Sequence, residues 1–380
     1  MFVEKYPYTL PHDMLYDTSL CKAIHQSPYT IDTDKFILHI HIWPSKYDNS
    51  DIFALFPEEQ IRLLQNRQAI LFIEYAGDSH QNQEHIDTFR NLCRHRNIDC
   101  DLLFFAVSND NLKDPEMNFI PGMYAWNWVY FGLQNLHPQT FPNYKGGDVL
   151  NDINWSVWKK MPDELFTTYV EQYNHKKQHG SKNFMLLQRS IRPHRDLTYL
   201  RLLEEGLWTN NNCSYLHRDI FLQGEKEKLL SIKNNQEYYK TWEHSEYAKN
   251  SWLAIVSEDI DYRTQPYMTE KWYQAVFNCL PMIFLGPQHS LELFRSFGFK
   301  TFDKYFNECY DKQSSYEDRL NEVVKLLRKI EAIQDKLTWY ESMRDVLEHN
   351  YNHARSMERP DNLIFKNFVK KFNGALRSIK

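Results

Sequence analysis

From residue 35 onward, short and densely apolar runs alternate with longer amphipathic ones. KFILHIHIW (35–43) is a β-rich apolar run, and PEEQIRLLQNR (57–67) spaces its apolar residues as a helix does. AILFIEYAGDS (69–79) is a second strand ending in a Gly-Asp loop, followed by the helix NQEHIDTFRNLCRHRN (82–97) and the strand CDLLFFAVSND (100–110). Between about 111 and 182 the pattern dissolves into Pro, Asn, Trp and Tyr. It restarts with the strand NFMLLQ (183–188) and the helix RDLTYLRLLEEGLW (195–208), with Leu197, Leu200 and Leu203 on one side and Gly206 as its C-terminal cap. SWLAIVSED (251–259), LPMIFLG (280–286), SLELFRSFG (290–298) and FKTF (299–302) continue it. From about Ser315 a long helix carries Leu320, Val323, Leu327 and Ile330 in register.

Strands alternating with helices predict parallel βαβ units with helices on the sheet faces. The rhythm occurs twice in 380 residues, a length for two cores rather than one. The expectation is an α/β chain of two Rossmann-like, doubly wound domains facing across a cleft. They span residues 1–175 and 176–380, with the join in QYNHKKQHGSKN (172–183) and the final helices in the second domain.

Composition narrows the classes. With 42% hydrophobic and 25% charged residues the chain is globular, and no run is long enough to predict a transmembrane segment. The first residues, MFVEKYPYTLPHDML, lack the basic and apolar regions of a secretory leader, and the six cysteines are scattered without a CxxC pair. Both features lead to the expectation of a reduced, cytoplasmic setting. A net charge of -5 supplies no global basic field, so a DNA partner needs a local patch, for which RNLCRHRN (90–97) is the candidate.

The 11 glycines contain neither a dinucleotide fingerprint nor a P-loop. A phosphorylated ligand would therefore rest on cationic side chains and helix N-termini. Two places offer these. In PYMTEKWYQAVFNCLPMIFLGP (266–287), Thr269, Glu270 and Lys271 open an apolar helix. Thr269 can cap its first turn, Lys271 adds a positive charge, and Glu270 can accept hydrogen bonds from two hydroxyls. Alternatively, Glu270 only complements the helix dipole and Lys271 is solvated. In LLQRSIRPHRDL (186–197), Arg189, Arg192 and Arg195 gather with His194 between a strand and its helix, where guanidiniums grip phosphate bidentately or pair with Asp196 and Glu204.

The span WLAIVSEDIDYRTQPYMTEKWYQAVFNCLPMIFLGPQHSLELFRSFGFKTFDKYFNECYD (252–311) resembles the nucleotide-sugar-binding half of GT-B glycosyltransferases. It is similar to the donor motif of α1,3-fucosyltransferases, in which a Thr-Glu-Lys helix precedes a P-x-x-x-G strand. It is closer to bacterial and phage glycosyltransferase-like proteins in which TEK, LGP, GFKTF and an Arg-Pro-His-Arg loop share this order. The resemblance covers residues 183–311, and Trp272 and Tyr273 depart from its pattern after TEK.

The resemblance implies a nucleotide diphosphate sugar as co-substrate, with no cofactor and no metal. Glu270 would hold the ribose, Lys271 and Arg195 the diphosphate with Arg192 as a further phosphate ligand, and Glu258 would line the donor pocket. The second domain would then bind donor and the first the acceptor, a glycan or other hydroxyl, or a modified base of phage DNA. Inverting transfer needs a base from the first domain, for which Asp78 and then Glu74 are the candidates. The alternative is a non-catalytic module that binds a nucleotide or sugar phosphate.

Three other patterns invite a metal. Asp259-x-Asp261 reads better as a polar loop, His349 and His353 lack the Glu of a zinc-protease helix, and His39 and His41 share a strand face without a carboxylate or Cys pattern.

Overall fold

The structure is a computed structural model and describes residues 31–42, 51–75, 83–107, 114–121, 167–188, 191–220, 245–258, 270–357 and 363–379. Within these, β1 (Phe36–Ile42), β2 (Ala69–Tyr75), β3 (Leu103–Val107) and β4 (Asn118–Pro121) form one four-stranded parallel sheet in that order. A second parallel sheet contains β5 (Met185–Gln188), β6 (Asn212–Tyr215), β7 (Ala254–Ser257) and β8 (Met282–Leu285), in the order β6-β5-β7-β8. The helices of the first unit are α1 (Glu58–Gln65) and α2 (Gln83–Arg96). Those of the second are α3 (Tyr169–His179), α4 (Pro193–Glu204), α5 (Ser245–Lys249), α6 (Tyr273–Phe277), α7 (Ser290–Ser296), α8 (Tyr316–Glu331), α9 (Lys336–Ser342) and α10 (Arg344–Met357). The last helix, α11 (Leu363–Leu376), belongs to the first unit.

The mixed α/β class with two parallel sheets is as expected, and the strand orders refine it. The first sheet runs in sequence order and, among the described residues, lacks the reversal that a doubly wound sheet has. Its two faces are covered by different parts of the chain. Phe89 of α2 packs 5.2 Å from Phe105 and Phe105 stacks on Phe119, while Phe372 of α11 lies 5.0 Å from Phe72 and 5.4 Å from Phe104 on the alternate residues of the same strands. Strand side chains alternate between faces, so Phe104 and Phe105 serve opposite cores and both are fully buried.

The compact units divide differently from a join at 175/176, because α3 packs with the second unit and α11 with the first. Thr168 and Glu171 form a capping box at the start of α3, and Gly180 ends it at φ +68°. The buried face of α3 is polar. Gln172 Nε2 donates to Ala248 O at 2.9 Å, and the Lys176 ammonium donates to Ser251 O with its Nζ 5.0 Å from the Trp252 ring centre. Burial pushes the Lys176 amine well below its ordinary value.

In α8, Ser315 caps the N-terminus and Leu320, Val323, Leu327 and Ile330 are buried as the periodicity predicts. No helix among the described residues is long and apolar enough to cross a membrane.

Candidate functional site

In the second sheet β5 and β7 are neighbours although β6 separates them in sequence. The connection leaving β5 therefore runs toward one sheet edge and the one leaving β7 toward the other. Ligands of α/β sheets lie outside the carboxyl ends of such a strand pair, where the diverging connections leave a crevice. Gln188, the last residue of β5, donates from Nε2 to the Ser257 hydroxyl at the end of β7, 3.2 Å away, tying the two ends together.

Glu258 follows Ser257 and is 0% exposed. Its N–H donates to Leu285 O at 2.9 Å, and the Lys271 ammonium stands 3.7 Å from its Oε2. Glycine at 286 makes room for this carboxylate, since a Cβ there would lie 3.2 Å from Glu258 Cβ and 3.2 Å from Ser290 Oγ. Arg319 of α8 donates to the carbonyls of Gly286 and Gln313, the latter at 2.7 Å, and so holds the exit of β8 beside Glu258.

The apolar helix expected after Thr269 is instead a 3₁₀ turn, Glu270–Trp272, followed by the five residues of α6. It stops at Cys279, which takes φ +46°, because Leu280 precedes Pro281 and must extend into β8. So few aligned peptides give little dipole, and Lys271 carries the positive charge here. Lys271 is held by its neighbours. Trp272 and Tyr273 are 2% and 0% exposed, and Trp272 stands edge-on to Phe294 and Phe299.

On the other side of the crevice, α4 begins with Arg192 as an extended N-cap and Pro193 at its first position, and no side chain caps the N-terminus. Arg195 is buried and Arg192 exposed. The Tyr215 hydroxyl accepts the Arg192 N–H at 3.3 Å and donates to Asp196 at 3.0 Å. Asp196 also takes both Nε and Nη2 of Arg218, and this hydrogen bonding holds its carboxyl below the ordinary value. The pairing considered for Asp196 in the basic loop is thus made by an arginine the sequence reading did not single out.

The leucine row of α4 faces the opposite way from its usual reading. Leu197, Leu200 and Leu203 are 37%, 52% and 41% exposed, while His194, Arg195, Thr198 and Leu202 turn inward. Polar partners on α8 explain the inversion. Thr198 Oγ1 is 2.6 Å from the Tyr316 hydroxyl, the His194 ring meets the Tyr316 ring edge-on, and burial pushes that phenol up to about 12. Gly206 ends α4 as expected, at φ +66°, with Leu207 N–H bonded to Leu202 O.

Of the expected site residues, Arg192, Arg195, Glu258 and Lys271 lie at this sheet end. Arg189, Thr269, Asp78, Asp259 and Asp261 are outside the described residues, as are the side chains of Glu270, Glu74, His39 and His41. His349 and His353 bond the carbonyls of Gly298 and Phe297, closing the end of α7. Among the described residues no group of three or more His, Cys, Asp or Glu side chains is placed to hold a metal.

Glu308, six residues beyond the GFKTF segment, accepts the Phe302 N–H at 2.7 Å. Burial pushes its carboxyl up to about 7 from an ordinary 4.5, against the pull of that hydrogen bond and of Arg295. A raised carboxyl pKa contributes stability that is complete below about pH 4.5 and lost as pH rises through about 7. Glu308→Gln keeps an acceptor for Phe302 without the charge. It is expected to exceed the parent in stability by about 3 kcal/mol near pH 8 and to lose this advantage by about pH 4.5, as urea unfolding at the two pH values would record. No protein-family model matches the chain, and comparison with curated proteins finds no relative.

Proposed function

We propose that the second unit binds a nucleoside diphosphate at the carboxyl ends of β5 and β7, and that the chain transfers a sugar from a nucleotide diphosphate sugar to an acceptor hydroxyl. One observation carries this reading: a fully buried carboxylate, Glu258, is paired with Lys271 at the strand-order reversal, with Arg192 and Arg195 at the start of α4. The likeness to GT-B donor motifs supports the finer assignment. In it, Lys271 and Arg195 offset the charge that builds on the departing diphosphate as the glycosidic bond breaks, and a carboxylate base, for which Asp78 and then Glu74 are the candidates, takes the acceptor proton. The acceptor is a glycan or other hydroxyl, a DNA base included, and the reaction is inverting, metal-independent and cytoplasmic in this reading.

A calorimetric and melting series with UDP, GDP, CDP, ADP and dTDP, with and without divalent metal, tests it. One diphosphate is expected to bind without metal and, at a hundredfold excess over Kd, to add about 2.7 kcal/mol of stability. Release of that diphosphate from its nucleotide sugar in the presence of an acceptor separates a transferase from a silent binding module. If none of the five binds, the proposal fails.

A further inference from the structure

We infer that Gln188 reads a hydroxyl group of the bound ligand, so that the hydroxylated part of the molecule lies at the ends of β5 and β7 and its phosphates lie toward α4. This rests on the nucleoside-diphosphate reading above and adds to it the orientation of the ligand and a specificity-determining residue.

Gln188 is 2% exposed, yet its Oε1 has no hydrogen-bond partner among the described residues. Such an oxygen is costly to bury unless something completes it. The amide cannot simply turn toward water, because its other half is tied to Ser257 Oγ. Exchanging the amide nitrogen and oxygen does not remove the problem. The Ser257 hydroxyl can donate as well as accept, so it satisfies either half and leaves the other without a partner. A ligand hydroxyl answers both arrangements, donating to Oε1 or accepting from Nε2.

The placement agrees. Gln188 stands opposite Tyr215 in the ladder, and residues paired in this way project from the same face of the sheet. Tyr215 uses its hydroxyl to take the Arg192 N–H at the start of α4, so this face of the strand ends meets the first turn of that helix. The same sheet end carries Glu258, a second acceptor group, whereas Arg192 and Arg195 belong to α4. A ligand with a hydroxyl at Gln188 and phosphates toward α4 matches the placement of this amide and these two arginines, and Lys271, 3.7 Å from the Glu258 carboxylate, is a further cation for the phosphates outside α4.

The test is titration of wild type and Gln188→Met with inorganic pyrophosphate, with whichever of the five diphosphates binds and its nucleotide sugar, and with the partner form differing only at the ribose 2′ position. Methionine keeps the length of glutamine but removes the amide and with it the bond to Ser257 Oγ, so the unliganded melting temperature is measured beside the affinities and a fall in it reports the lost tie, not the ligand contact. The expected result is about tenfold weaker binding of the ligand that presents the hydroxyl, the yield of one hydrogen bond, with pyrophosphate unchanged. If the ribose supplies it, the loss appears with the ribonucleoside diphosphate, and removing the 2′-hydroxyl weakens wild type but not the variant. If the transferred sugar supplies it, only the nucleotide sugar is affected. Equal weakening of pyrophosphate, or unchanged binding of every ligand whatever the melting temperature, overturns the inference and leaves the amide as a structural tie to Ser257. A wild type that binds none of these anions overturns the nucleotide reading, and the inference with it.

Discussion

Phe372→Ala is expected to cost about 3–5 kcal/mol in the first unit, although residue 372 is more than two hundred positions from the strands it covers. Its ring is fully buried against Phe72 and Phe104, and Phe368, Val369 and Leu376 of the same helix are buried with it. The sheet β1-β2-β3-β4 is apolar on both faces, and α2 packs on only one of them at Phe105. Emptying the site of Phe372 leaves a cavity that rigid strands cannot close, so the transfer and cavity terms add. Amide hydrogen exchange followed along the chain would check both size and place. Protection should fall in β2 and β3 and stay unchanged in β5 to β8. A uniform fall would mean that the two units unfold as one cooperative block, and an unchanged pattern would remove α11 from the core.

Most of the second unit was legible in the sequence for a simple reason: β5, β7 and β8 are apolar runs, and α8 writes its buried face at helical spacing. The elements that escaped are those whose buried faces are polar. The capped helix α3 hides Gln172 and Lys176 and therefore passed for a linker, although Thr168 and Glu171 carried a capping-box signal. The inversion of α4 escaped for the same reason, since a row of leucines outward and His194, Arg195 and Thr198 inward reverses the hydrophobic rule. Such reversals mark places where side-chain hydrogen bonds rather than area decide the packing. Strand order was beyond reach altogether. Nothing local says that β7 pairs with β5 and not β6, yet that pairing creates the crevice.

The site followed the same division. Lys271 and Glu258 were visible as charges beside apolar runs, and Arg192 and Arg195 as a cluster. Gln188 and Arg319 were not. Gln188 is the one polar residue ending the strand NFMLLQ, a faint signal, and Arg319 sits in an ordinary helix turn until the fold brings it to Gly286. A charge is recognisable alone, whereas a positioning group becomes recognisable only with its partner.

Lys271→Met is expected to destabilise the second unit. Removing this ammonium leaves Glu258 at zero exposure without the cation 3.7 Å from its carboxylate. Breaking a buried pair typically costs 3–5 kcal/mol. Because the Lys271 side chain is 30% exposed, the expected loss is at the lower end, about 3 kcal/mol. Glu258→Gln removes the charge instead, and in the Lys271→Met/Glu258→Gln double variant the two losses should not add: stability should return toward that of the parent. Denaturant unfolding of the four proteins measures this coupling. Ligand binding then separates the roles of the pair, because the double variant restores the fold but not the cation. If it is stable yet binds no nucleoside diphosphate, Lys271 serves the ligand as well as Glu258. If it binds as the parent does, the ammonium serves only to neutralise a buried carboxylate, and the phosphates must rest on α4 and its arginines.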